Sequence, residues 1–66
     1  SGAALSPREH QVVQLVADGF ENKQIVTELN LSEGTVKTYL RGIFRKLDVA
    51  SRAEAVAVGL RRGIID

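Results

Sequence analysis

Residues 31–47 read LSEGTVKTYLRGIFRKL. Val36, Leu40, Ile43 and Leu47 recur at the spacing that lines one face of an α-helix. Ser32 precedes them as a capping residue, so the pattern predicts a helix over about 33–47. At about 100° per residue, Gly34, Thr38, Arg41 and Arg45 fall opposite the apolar stripe, with Thr35 and Lys37 on the flanks. Glycine within a helix costs up to about 1 kcal/mol relative to alanine, so Gly34 and Gly42 need a reason to be there.

Outward from this segment the chain reads as helices only. Asn22 can cap a short helix over about 22–29, in which Ile25, Val26 and Leu29 are apolar. Asn30-Leu31-Ser32 is then a tight connection, with Leu31 pointing into the angle between two helices. Ser6-Pro7-Arg8-Glu9 is a capping box with proline in the first turn, opening a helix over about 7–18 that Gly19 ends. Leu5, ahead of the cap, is expected to pack back on this helix, whose apolar face is Val12, Val13, Leu15 and Val16. Ser51-Arg52-Ala53-Glu54 is a second capping box and starts a helix over about 52–62. Its expected core stripe is Ala53, Val56, Ala57 and Leu60; Gly63 ends it, and Ile64 and Ile65 can cover the core. The expected fold class is all-α: a compact four-helix domain over residues 3–66, containing a helix-turn-helix. Ser1-Gly2 reads as an expression remnant.

Composition narrows the function. Sixty-six residues suffice for one small domain. No cysteine is present and His10 is the one histidine, so thiolate and clustered-histidine metal sites are excluded and no cofactor is expected. No nucleophile–base pair or phosphate-cradling glycine loop suggests an enzyme. No apolar run approaches the roughly 20 residues that span a bilayer, so no membrane partner is expected. Net charge is only +1, but it is unevenly spread. Lys37, Arg41, Arg45 and Lys46 face only Glu33 within 31–47, while residues 1–30 are net acidic. A local anion-binding footprint and a solvated basic helix face both fit that distribution.

The polar face of 33–47 suits duplex DNA, whose major groove admits an α-helix. Lys37 and Arg41 can donate to guanine O6 and N7, and Thr38 can meet a thymine methyl or a base edge. Gly34 lets the backbone approach closely. Ser32, Thr35 and Tyr39 offer hydroxyls, and Lys23 and Arg45 offer cations, to phosphate oxygens. Lys46 is expected with Arg45 on the backbone. Structural alternatives stand beside several of these: Ser32 as a cap, Tyr39 at the edge of the core, Lys23 simply solvated. Arg52 can pair with Glu9, and Phe20 and Phe44 read as core.

The strings LSPRE, ENKQIVTELNLSEGTVKTYLRGIFRKLDV and SRAEAV together resemble the LuxR-type (NarL/FixJ-type) DNA-binding domain of bacterial transcription regulators, from Leu5 to about Ile64. The resemblance implies a cytoplasmic, nucleoid-bound module, the C-terminal effector domain of a longer regulator, with its third helix in the major groove. It implies base contact at Lys37, Thr38, Arg41 and Gly34, and phosphate contact at Lys23, Thr35, Tyr39 and Arg45. It also implies a homodimer on two half-sites through the last helix, for which Ala55, Val58, Gly59 and Arg62 are the expected surface, with RNA polymerase as a further partner. Val26 departs from the family's usual alanine. A sigma-factor-like promoter-reading domain and a helical protein-interaction module without DNA contact are the alternatives.

Overall fold

Each helix starts where a side-chain or backbone group meets its free first-turn N–H groups. The computed structural model describes residues 4–66 and contains α1 (Pro7–Ala17), α2 (Asn22–Leu29), α3 (Glu33–Leu47) and α4 (Arg52–Arg61). Ser1-Gly2 and Ala3, the expected remnant and first domain residue, lie outside the described residues. Ser6, Ser32 and Ser51 each accept a hydrogen bond from the backbone N–H three residues on, at 3.1, 3.1 and 3.2 Å. Asn22 is not a cap but the first residue of α2; Glu21 precedes it in extended conformation, and its N–H donates to Gln24 Oε1 at 2.7 Å. The capping role falls one residue earlier because Gln24, three residues after Glu21, can reach back to it.

All four helices end alike. Gly19, Asn30, Asp48 and Gly63 have φ of 93°, 56°, 60° and 69°. Asn and Asp are the side chains that best tolerate this left-handed region. The following N–H then reaches back five residues: Phe20 to Leu15 O at 3.0 Å, Leu31 to Val26 O at 3.1 Å, Val49 to Phe44 O at 2.9 Å and Ile64 to Gly59 O at 2.8 Å. Phe20, Leu31, Val49 and Ile64 are apolar, and each packs against the core. Every turn therefore carries its own hydrophobic return.

The core forms around α3, the one helix that packs extensively against all three others. Fifteen residues make about 22 Å of helix, enough to run across a domain of 28 × 20 × 20 Å. Val36, Leu40, Ile43 and Leu47 are buried, as their spacing predicts, against Val12, Val13, Val16, Ile25, Ala55 and Ile65. Leu5, Leu15, Val26, Leu29, Leu31, Phe20 and Phe44 are half-buried around them.

One acidic side chain joins α1 to α3. Glu9 is 7% exposed. Its Oε1 accepts from Ser6 N–H at 2.8 Å and from Lys46 Nζ at 2.7 Å, closing the α1 capping box and tying it to α3. A Cβ on Gly42 would stand 2.8 Å from Glu9 Oε2, so this glycine serves close packing of α3 on α1. Lys46 is thus spent on the fold and not, as expected, on a DNA backbone. The expected Glu9–Arg52 pair is also corrected. Arg52 instead donates to Asn22 Oδ1 at 2.7 Å and to Phe20 O at 2.8 Å, linking the start of α4 to the start of α2.

The buried face of α4 differs from the expected one: of Ala53, Val56, Ala57 and Leu60, only Val56 packs on the core, and it is half-buried. Ala55 is 1% exposed and Gly59 is buried, whereas Ala53, Ala57 and Leu60 are exposed, Leu60 to 51%. The turn at Gly63 folds the tail back so that Ile65 covers Gly59; a Cβ there would meet Ile65 at 3.0 Å. Small residues on the inner face let α4 and the tail close together. Gln14 on α1 holds Asp66 through both backbone groups, and His10 Nε2 bonds Ile64 O.

Burial alone raises the pKa of Glu9, but the Lys46 ammonium, the Ser6 N–H and the Ser6 hydroxyl outweigh it and hold the carboxyl below its usual value. A carboxyl with a lowered folded-state pKa stabilises the fold fully above the ordinary carboxylate range, and that contribution is lost as pH falls through the lowered value. Glu9→Gln should therefore cost about 1–3 kcal/mol at neutral pH. In urea unfolding across pH, the variant should also show a flatter acid limb than the parent.

Candidate nucleic-acid interface

The helical period sets the surface of α3, and its backbone then organises it. Gly34, Thr35, Lys37, Thr38, Arg41 and Arg45 are all exposed, while the opposite stripe is buried. Tyr39 is half-buried and packs against the core, in line with the structural alternative for it. Thr38 Oγ1 donates to Gly34 O at 3.0 Å, the back-bond common to threonine in helices. Arg41 in turn donates to Thr38 Oγ1 at 3.4 Å. The hydroxyl proton of Thr38 is thus turned inward, and the outward character of this residue is a methyl group and lone pairs. The i, i+4 and i, i+3 spacings of Gly34, Thr38 and Arg41 carry the signal for this chain, which residue-by-residue reading passes over.

At the entry to α3, Ser32 Oγ and Thr35 Oγ1 lie 2.8 Å apart, and Ser32 also accepts the Thr35 N–H. Two hydroxyl protons serve one mutual bond, so one remains for an outside acceptor. Apart from its chain neighbours and the backbone of its own helix, no atom of the described residues lies within 4 Å of the Cβ position at Gly34, so the helix start is open to close approach. Lys23 is exposed at the second position of α2, and its carbonyl accepts from Thr27 Oγ1 at 3.3 Å.

The cations divide into two sets. Lys46 and Arg52 are bonded within the fold. Lys23, Lys37, Arg41 and Arg45 form no ion pair, and neither do Arg8, Arg61 and Arg62, since Lys46–Glu9 is the one salt bridge among the described residues. The residues named for a dimer divide too. Ala55 and Gly59 lie inside the domain and cannot face a second copy, Val58 is half-buried and Arg62 exposed. The described residues hold no group of three or more histidine, cysteine, aspartate or glutamate side chains able to bind a metal, and no helix long and apolar enough to cross a membrane.

A groove between α1 and α2, lined by Pro7, His10, Gln11, Gln14, Leu15, Glu28 and Leu29, involves no residue of α3. Residues 3–58 match the family model for bacterial regulatory proteins of the luxR family. The chain belongs to that family. Among relatives, it is 42% identical over 59 residues to the transcriptional regulatory protein DesR of Bacillus subtilis, covering 89% of this chain and 30% of DesR. Its fold matches the transcription factor GerE at a TM-score of 0.87 with 31% identity, covering 97% of each chain. It matches the response regulator ChrA of a heme-sensing two-component system at 0.92 with 38% identity, covering 96% of this chain and 31% of ChrA. The chain spans less than half the length of the curated relatives it matches. At the family's level of detail, this LuxR-family domain binds DNA in transcription regulation, and the family is not one of enzymes.

The division of cations has a direct consequence for stability. Lys37→Gln and Arg41→Gln should each change the unfolding free energy by no more than about 0.5 kcal/mol, as surface positions do. Lys46→Gln should lower it by more than about 1 kcal/mol, since it strands the Glu9 carboxylate. Thermal and urea unfolding of the three variants checks the assignment.

Proposed function

We propose that this domain reads double-stranded DNA sequence-specifically with α3 in the major groove, as the effector part, residues 3–66, of a longer bacterial regulator. The observation that carries the reading is the exposed face of Gly34, Lys37, Thr38 and Arg41, rich in donors and free of ion pairs, on a helix whose other face is wholly buried. Lys37 and Arg41 donate to guanine edges, and Thr38, its proton turned inward, offers a methyl to thymine or a lone pair to an amino group. Gly34 admits the backbone. Lys23, Ser32, Thr35, Tyr39 and Arg45 anchor phosphates, Ser32 and Thr35 through the one proton left between them. The regulator acts in the cytoplasm on the nucleoid, with RNA polymerase as a further partner.

A homodimer on two half-sites completes the proposal, with its contact on the exposed face of α4. Leu60 at 51% exposure, flanked by Ala53 and Ala57, supports that location, since these three share the face turned away from Ala55 and Gly59. Val58 and Arg62 lie far around the helix axis from this face, so the proposed contact rests on Ala53, Ala57 and Leu60.

The readers and the anchors should separate in DNA-binding titrations. Lys37→Ala and Arg41→Ala should each cost about 1–3 kcal/mol on the preferred site and relax base preference. Lys23→Ala should weaken cognate and random duplexes alike and lower the dependence of log K on log salt by about 0.9. Equal losses on cognate and random DNA for Lys37→Ala would sink the reading of a base contact. For the dimer, Leu60→Glu should keep single half-site affinity while abolishing cooperative occupancy of paired half-sites in gel-shift assays.

A further inference from the structure

A helix of eight residues that packs extensively on only one neighbour is weakly held in direction, and α2 is such a helix. Its buried anchor is a single fully covered residue, Ile25. The start of α2 has a second tie, and it comes from a distant part of the chain. Ser51 caps α4 and so fixes Arg52 as the first residue of that helix. From there the guanidinium of Arg52 reaches two acceptors at once: Asn22 Oδ1, on the first residue of α2, at 2.7 Å, and Phe20 O, in the connection before it, at 2.8 Å. Both are short for N–H···O bonds and carry the charge of the donor. Arg52 is half-buried, and neither acceptor is a carboxylate, so its charge is spent on fixing backbone and amide rather than on neutralising an acid.

The residue next to Asn22 is Lys23. We propose that Arg52 is a positioning residue for DNA binding: by clamping Phe20 and Asn22 to the start of α4, it sets the direction from which Lys23 meets the phosphate backbone. The inference rests on the phosphate-anchor reading of Lys23. Arg52 itself does not touch DNA. The two acceptors are met by the two separate terminal nitrogens of the planar guanidinium, a fork geometry that the single ammonium of a lysine does not reproduce.

Titration of cognate and random duplexes over a range of salt, with the intact domain, tests this. Arg52→Ala should weaken both duplexes alike and make the slope of log K against log salt shallower by about 0.9, the value for one phosphate. The ratio of cognate to random affinity, set by Lys37 and Arg41, should stay at the parent value. Arg52→Ala placed on Lys23→Ala should shift the slope no further. Arg52→Lys should show the same shallower slope despite its retained charge; a full parental slope would mean a direct phosphate contact and overturn the proposal. An unchanged slope in folded Arg52→Ala, checked by circular dichroism and thermal unfolding, would overturn it as well. Asn22→Ala removes one arm of the clamp only and covers the case in which Arg52→Ala fails to fold; it too should shallow the slope, and parental binding by this variant counts against the idea. If Lys23→Ala leaves the slope unchanged, the anchor reading itself falls; if Lys23→Ala shallows it and Arg52→Ala does not, only the clamp falls.

Discussion

The carboxylate of Glu9 stands where three demands on the fold meet. It accepts the Ser6 N–H that opens α1, it holds the Lys46 ammonium of α3, and it fills the space that a side chain at position 42 would need. A carboxylate this deeply covered stabilises only when its oxygens are bonded, and the capping N–H and the lysine supply the partners. Gly42 gives up helix propensity so that α3 can sit close enough for the lysine to reach. With α1 and α3 locked together, the remaining helices have a fixed surface on which to pack, and the outer face of α3 has a fixed direction.

That direction matters because the domain contains two kinds of positive charge. Lys46 and Arg52 look inward and join helices distant in sequence. Lys23, Lys37, Arg41 and Arg45 look outward with no acidic partner. Sequence position alone does not separate the two kinds, since Arg45 and Lys46 are adjacent and yet divide between them. Helical geometry separates them: neighbours differ by about 100° around the axis, enough to turn one toward α1 and the other toward solvent.

Much of the architecture was legible in the sequence because its signals are local. Serine caps at 6, 32 and 51, the stripe of Val36, Leu40, Ile43 and Leu47, and the Gly or Asn stops need only a few neighbouring residues to act. Other features depended on distance across the fold. Sequence reasoning offers Arg52 as the partner of Glu9, and only the packing of α1 on α3 brings Lys46 to it instead. On α4 the rule that larger apolar residues are buried favoured Leu60 over Gly59, yet the tail returns Ile65 to the place a larger inner residue would have taken. The same inversion removed Ala55 and Gly59 from the expected dimer surface. The candidate DNA face was legible as a face, because opposite positions on a helix follow from its period. Its internal chain from Gly34 through Thr38 to Arg41 was not, because rotamers are chosen by hydrogen bonds that a sequence leaves open.

The four left-handed helix stops have a kinetic meaning. Each reversal is written in two adjacent residues, Gly19-Phe20, Asn30-Leu31, Asp48-Val49 and Gly63-Ile64, and closes over six residues of chain. The hydrogen bonds of each reversal therefore need only residues close in sequence. Little loop entropy remains to be lost when the helices finally meet, and domains assembled from such short-range steps are the ones that reach their native state fastest.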